Sequence, residues 1–150
     1  MYKQILVPLD GSDLAEGAIP HGAEMAKAFK AKLTLLSVIE PVEVYSQPGV
    51  VGPVVSVSMD VGDEVRNVTE YLDKVADKLR KDGIDVVRVV REGDAASQIC
   101  DYARENHADM IVMSTHGRSG IQRLVYGSVA EHVLHNATVP VLLVRVRAKG

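Results

Sequence analysis

Between Met110 and Leu134 the chain runs from an apolar segment, Met110 to Ser114, through Thr115, His116 and Gly117 to a second pair of small residues, Gly127-Ser128. The apolar segment is short and free of charge, the pattern of a strand covered on both faces. Ser128 and Glu131 stand at capping-box spacing ahead of Val129, Val133 and Leu134, which predicts a helix starting at Ser128 with that serine as its cap. A small-residue turn leaving a buried strand, with a helix start behind it, brings two sets of backbone N–H groups close together. Folds hold phosphates in this way with few charged side chains.

The remaining segments alternate in the same sense. Gln4 to Leu9 reads as a buried strand ended by Asp10-Gly11, and Ser12 or Asp13 caps a helix carrying Leu14, Ala18, Met25 and Phe29. Pro20 lies inside that helix and predicts a kink. Lys32 to Val38 is a second strand. From about residue 40 to 58 the prolines and glycines at 41, 48, 49, 52 and 53 break any period, so a long loop is expected, with a short strand possible within Val54 to Val57. Val61, Val65, Val68, Leu72, Val75 and Leu79 then form one apolar stripe on a helix from about Asp60 to Lys81, stopped by Gly83. The stripe resembles a coiled-coil seam, but packing on a sheet is the better reading. Ile84 to Val90 is the third strand. Asp94 caps a helix from Ala95 to Glu105 that buries Ala96, Ile99, Cys100 and Ala103. Ala108 to Ser114 and Val139 to Val146 are the fourth and fifth strands, separated by a helix ending near Asn136.

Strands alternating with helices require right-handed crossovers, giving a three-layer α/β/α open sheet of five parallel strands, Rossmann-like, in one domain over residues 1–150. The 47% hydrophobic content fills such a core, although Trp is absent and Phe occurs once. Ligands in this architecture sit beyond the carboxyl ends of the strands, where the strand order reverses. Asp10 and the Ser114–Gly117 turn both fall at such ends. The net charge of -3 argues against a general nucleic-acid binder. Cys100 is the single cysteine, which excludes an internal disulfide and a cysteine metal cluster. No apolar run approaches membrane-spanning length, and Met1-Tyr-Lys-Gln4 directly before a strand leaves no room for a signal peptide, so a cytoplasmic location is expected.

The chain resembles the universal stress protein family along essentially its whole length. The resemblance is carried by Ile5-Leu-Val-Pro-Leu-Asp-Gly-Ser12, Met113-Ser-Thr-His-Gly-Arg-Ser-Gly120, Gly127-Ser-Val-Ala-Glu131 and Val139-Pro-Val-Leu-Leu-Val144. Nucleotide-binding members carry glycine, two residues, glycine, nine residues, then glycine with Ser or Thr. Gly117, Gly127 and Ser128 match, while Ser114 stands where the first glycine belongs. The resemblance implies a homodimer that binds ATP, with or without Mg2+, or another adenine nucleotide such as AMP, often with no demonstrated catalysis.

By that resemblance Asp10 faces the nucleotide, where it accepts from the ribose or helps hold Mg2+. Val38 resembles the position whose backbone meets adenine, with Pro8 and Leu9 lining the same pocket. Ser114, His116, Gly117, Arg118, Gly127, Ser128 and Val129 belong to the phosphate side, and Arg118 and Arg123 suit phosphate pairing. Each has a plainer reading: Asp10 caps a turn, Gly117 is a turn residue, Ser128 a helix cap, and the arginines are solvated. His116 has no carboxylate or cysteine at a metal-ligand spacing. Ser114 lacks the flanking glycines of a nucleophile elbow, and neither the Walker lysine motif nor G-x-G-x-x-G occurs. Two further classes compete with an ATP-binding sensor or regulator. One is a dimeric interaction module of the same fold without nucleotide, suggested by Ser114. The other is a phosphoryl-receiver domain, which needs an aspartate after the third strand; Arg91, Glu92 and Gly93 stand there instead. The apolar final strand, with no helix-length segment after it, predicts dimerisation through Val139 to Val146, centred beyond Pro140.

Overall fold

A computed structural model describes residues 1–41, 61–115 and 127–146. In chain order its elements are β1 (Gln4–Pro8), α1 (Asp13–Glu16), α2 (Ile19–Phe29), β2 (Lys32–Ile39), α3 (Val61–Lys81), β3 (Val86–Glu92), α4 (Ala95–Glu105), β4 (Met110–Ser114), α5 (Ser128–Asn136) and β5 (Val141–Val144). The strands form one parallel sheet in the order β3-β2-β1-β4-β5. The three-layer α/β/α reading therefore holds.

Side-chain alternation along each strand divides the core into two. Ile5 and Val7, Leu33 and Leu35, and Met110 and Val112 face α1, α2 and α3, joined by Ala26, Leu72, Ala76 and Leu79. Leu6, Leu36, Ile111 and Met113 face α4 and α5, meeting Ala96, Ile99, Ala103, Ala130 and Val133. Both faces of the sheet are thus covered, which is why the inner strands are largely apolar, while the charged side chains Arg88, Arg91 and Glu92 fall on the edge strand β3. The α3 stripe packs on the sheet as expected: Leu72 and Leu79 are buried and Val68 and Val75 lie against the core, while Val61 is exposed.

Several boundaries differ from expectation. Pro20 breaks the predicted single helix instead of kinking it: α1 stops at Glu16, and the proline sits in the first turn of α2, where its missing N–H costs nothing. Ser12, not Asp13, caps α1, its Oγ accepting from the Ala15 N–H at 3.1 Å. Phe29 does not join the core; it is 44% exposed and packs edge-on against Tyr2. β3 begins at Val86, two residues later than predicted, because Ile84 still bonds back to Leu79 at the end of α3. β5 is confined to Val141–Val144: Pro140 precedes the ladder and offers only its carbonyl, to Ile111, while Val146 packs against Gly17 at the α1–α2 junction. Cys100 is partly rather than fully buried, and burial raises its thiol above the ordinary range. The 40–58 loop and the strand suggested within Val54 to Val57 fall, from residue 42 onward, outside the described residues.

One polar contact ties the two central strands together. Asp109, just before β4, accepts from the N–H groups of Lys3 (2.7 Å) and Gln4 (2.9 Å) at the start of β1. Those bonds hold its carboxyl below the usual range. A lowered folded pKa means stabilisation that is present above the unfolded value and lost as pH falls through the folded one. Asp109→Ala is therefore expected to lower the thermal midpoint at neutral pH by about 2–4 °C, the equivalent of about 1 kcal/mol in a chain of this size. The gap between parent and variant should close as the pH drops below the carboxylate range. Melting curves from pH 7 to pH 2.5 check both statements, and an equal gap at every pH contradicts the second.

Candidate functional site

The order of strands reverses between β1 and β4: from β1 the chain proceeds outward to β2 and β3, then returns to β4 on the other side. Beyond the carboxyl ends of these strands lies a cleft of about 690 Å3. That is within the usual range for a small-molecule site. Its floor is the strand ends, its walls are α3 on one side and the N-termini of α4 and α5 on the other. A second cavity, of about 310 Å3, lies by Ala26, Lys30, Gly83 and Asp85 at the opposite, amino ends of the strands.

Eight of the sequence-predicted residues come together on the large cleft: Pro8, Leu9, Asp10, Val38, Ser114, Gly127, Ser128 and Val129. His116, Gly117 and Arg118, together with Arg123, lie outside the described residues. Leu9 carries the floor onward from β1, its N–H donating to the Leu36 carbonyl, while its own carbonyl accepts from the Ser37 hydroxyl at 2.7 Å. The following turn needs Gly11, whose φ of +83° suits glycine alone among the common residues. Asp10 Oδ1 accepts from both the N–H (2.9 Å) and the hydroxyl (2.5 Å) of Ser12, so it does organise this turn. Ser114 is the last residue of β4, buried and in register with Val144. Its backbone is ordinary strand, so nothing in the local conformation demands glycine there.

Four helices begin around the cleft; the residue before α3 lies outside the described residues, and α1, α4 and α5 differ in how their first N–H groups are used. At α1 the Ser12 side chain serves as cap. At α4 the Asp94 carboxylate accepts from the N–H (2.9 Å) and hydroxyl (2.7 Å) of Ser97, which hold it below the usual carboxylate range, and Glu40 accepts from the Ala95 N–H at 3.2 Å. Each of these ends thus has at least one first-turn N–H taken by an oxygen atom of the chain itself. The α5 end is built differently. Its cap is Gly127, which has no side chain to offer, so the predicted Ser128–Glu131 capping box is not formed; Ser128 is the first helical residue and its side chain is exposed. A glycine is used because the chain crosses directly over the end of β4. The Gly127 N–H donates to the Thr115 carbonyl at 2.8 Å, and a Cβ at Gly127 would meet that same oxygen at 3.2 Å. The donor expected from Gly127 is consequently already in use. The N–H groups of Ser128, Val129 and Ala130 form the helix's first turn and have no partner among the described residues. Aligned peptide dipoles place roughly half a positive charge at such an end.

The opposite wall is negative. Asp10 and Glu64 line it, and Tyr71 donates its phenolic proton to Glu16 at 2.6 Å. Burial, then the bond to Glu16, push the Tyr71 phenol far above its usual range. The α3 contribution, Glu64, Asn67 and Tyr71, is missing from the sequence-based site. Its signal was available as spacing: these residues recur at three and four along the helix, on the flank of the apolar stripe. Among the described residues no group of three or more His, Cys, Asp or Glu side chains is arranged to hold a metal ion, and no helix is long and apolar enough to cross a membrane.

Relatives fit this architecture. The model of the universal stress protein family matches residues 1–145. Universal stress protein MJ0531 of Methanocaldococcus jannaschii is 33% identical over 145 residues, spanning 97% of this chain and 83% of the relative. Universal stress protein UspA from Lactobacillus plantarum superposes with a TM-score of 0.81 at 26% identity, over 96% of this chain and 98% of its own. A universal stress protein from Archaeoglobus fulgidus, solved in complex with dAMP, shares the fold with a TM-score of 0.68 at 22% identity, over 95% and 97% of the two chains. With a family model spanning nearly the whole sequence and a parallel sheet whose switch-point cleft gathers the family's motif residues, this chain belongs to the universal stress protein family.

Proposed function

We propose that the cleft binds an adenine nucleotide, ATP with Mg2+ in the leading case, and that the protein serves the stress response as a nucleotide-bound sensor or regulator. The observation that carries this reading is the contrast between helix ends. Among the helix ends on the cleft, α1 and α4 have first-turn N–H groups taken by Ser12, Asp94 and Glu40, while the first-turn N–H groups of α5 have no partner among the described residues and face a space large enough for a nucleotide. Phosphates belong against Ser128, Val129 and Ala130, with Gly117, His116 and Arg118 contributing from the preceding segment. Adenine belongs between Pro8, Leu9 and Val38, and ribose beside Asp10. Among the described residues a lone Mg2+ has no three-carboxylate cage, but magnesium usually takes one or two carboxylates and completes its shell with phosphate oxygens and water. Asp10 fits that smaller role.

The protein pairs through β5 in the same reading. β5 lies at one edge of the sheet and runs Val141-Leu-Leu-Val144 without a charge. The other edge, β3, carries Arg88 paired with Asp73 at 2.7 Å and Arg91 paired with Glu105 at 2.6 Å, charges of the kind that discourage strand addition. Only the β5 edge suits an antiparallel match with a second copy across a two-fold axis.

Fast hydrolysis is not expected. Among the described residues no activated nucleophile or general base stands out by the proposed phosphates, and Asp10 is the one carboxylate assigned a role in metal binding. Turnover of ATP should stay below about 1 s⁻¹, the low end of ordinary enzymes. Phosphate release by the purified protein checks this; a faster rate abolished by Gly127→Val contradicts it. The binding reading itself is tested by mass spectrometry of small molecules released on denaturing freshly purified protein. An adenine nucleotide at near-stoichiometric yield is the expected result, and an unrelated metabolite retained at that yield overturns it.

A further inference from the structure

The polar groups on the two sides of the cleft differ in kind. On the α5 side Ser128, Val129 and Ala130 offer N–H donors. Across from them only the Asn67 amide of α3 carries protons to give, and the other polar side chains at the ends of β1 and β2 and along α3 act as acceptors. Ser37 spends its hydroxyl proton on the Leu9 carbonyl at 2.7 Å, and the Asp10 and Glu64 carboxylates accept only. Tyr71 would ordinarily both donate and accept, but Glu16 Oε1 holds its proton at 2.6 Å, leaving the phenol oxygen's lone pairs for a ligand. Tyr71 is half-buried on the cleft wall, and the Asp10 charge is near enough to be felt at its hydroxyl.

From this we infer that Tyr71 is a specificity-determining residue of the cleft, its phenol oxygen accepting a hydrogen bond from a ribose hydroxyl and so favouring ribonucleotides over deoxynucleotides. The inference rests on the nucleotide-binding reading and adds a residue and a selectivity to it. The anionic end of such a ligand meets the donors of α5, and its hydroxyls meet the acceptor wall; a sugar lacking one hydroxyl leaves an acceptor on that wall without a partner. Glu16 acts through Tyr71, holding the phenol in the orientation that exposes its lone pairs. α1 and α3, distant in sequence, are joined at the site by this one bond.

The test is titration calorimetry of the full chain with ATP, 2′-deoxy-ATP and 3′-deoxy-ATP, for the parent and for Tyr71→Phe, which keeps the ring and its packing. The parent should prefer ATP over at least one deoxynucleotide by about fivefold, the worth of one ordinary hydrogen bond. In Tyr71→Phe that preference should fall below about twofold, with affinity for the same deoxynucleotide unchanged, because the lost partner is only the phenol oxygen. A purely structural role for Tyr71 would weaken all three ligands alike and leave the ratios as they were; that result overturns the inference, as does a parent that binds the three equally. A parent that binds none of them defeats the nucleotide reading itself, an outcome plainly different from unchanged ratios.

Discussion

Gly127→Val is expected to lower ATP affinity at least tenfold, a loss of about 1.4 kcal/mol or more. Two effects act together. A β-carbon at this position already meets the Thr115 carbonyl at 3.2 Å, so the start of α5 must move away from the end of β4. That movement strains the Gly127–Thr115 hydrogen bond, which sets where the following N–H groups point. The branched valine adds bulk at the mouth of the same N–H cluster. The core on the α1–α3 side is remote from the change, and the core on the α4–α5 side reaches it only through Val129 and Ala130, so circular dichroism should remain close to parental. A folded Gly127→Val protein with parental ATP affinity would remove the phosphate assignment. Gly127→Ala should give a smaller loss in the same direction, since it introduces the close contact without the branching.

The second large effect is expected at the sheet edge. Leu142→Lys should weaken dimerisation at least tenfold in sedimentation at micromolar concentration, because the two-fold axis brings both substituted side chains to one interface and their charges repel. Leu142 is the position to choose because it is 37% exposed on the outermost strand. Val144, the obvious alternative from the apolar run, is 8% exposed and packs in the core with Ile5, Val7 and Val112, so a lysine there would unfold the subunit before reporting on any interface. An unchanged dimer mass in folded Leu142→Lys, or a monomeric parent, rejects pairing through β5.

The fold was legible because its signals are local. Short apolar runs separated by amphipathic helices of three-and-four spacing admit few arrangements other than a parallel sheet covered on both faces. Helix and strand ends were less legible, each for a particular reason. Pro20 could occupy a kink or a first turn, and the sequence does not say which; in the structure α1 ends at Glu16 and Pro20 stands in the first turn of α2. Ser128 and Glu131 have the spacing of a capping box, but the chain reaches α5 so close to Thr115 that Gly127 takes the cap position instead. Of the site, the half that follows strand ends was readable: Pro8, Leu9, Asp10, Val38, Ser114 and the start of α5. The α3 wall was legible only as a three-and-four spacing on the flank of the apolar stripe, since Glu64, Asn67 and Tyr71 reach the cleft through the crossing of a helix that follows the proline- and glycine-rich segment. Tyr71 in particular reads as one polar flank residue among many until Glu16, fifty-five positions away, is seen to hold its proton.

Calorimetry of nucleotide-free parent protein with ATP and Mg2+ tests the central claim most directly. The protein is first freed of any retained ligand by denaturation and refolding, and its circular dichroism is compared with that of the native sample. The account predicts saturable binding of one nucleotide per chain, accompanied by a rise in thermal midpoint that grows with ATP concentration, because a ligand of the folded state stabilises it by mass action. Folded protein that shows neither binding heat nor a shift in midpoint at millimolar ATP would contradict the account, leaving a dimeric interaction module without nucleotide as the reading of this chain.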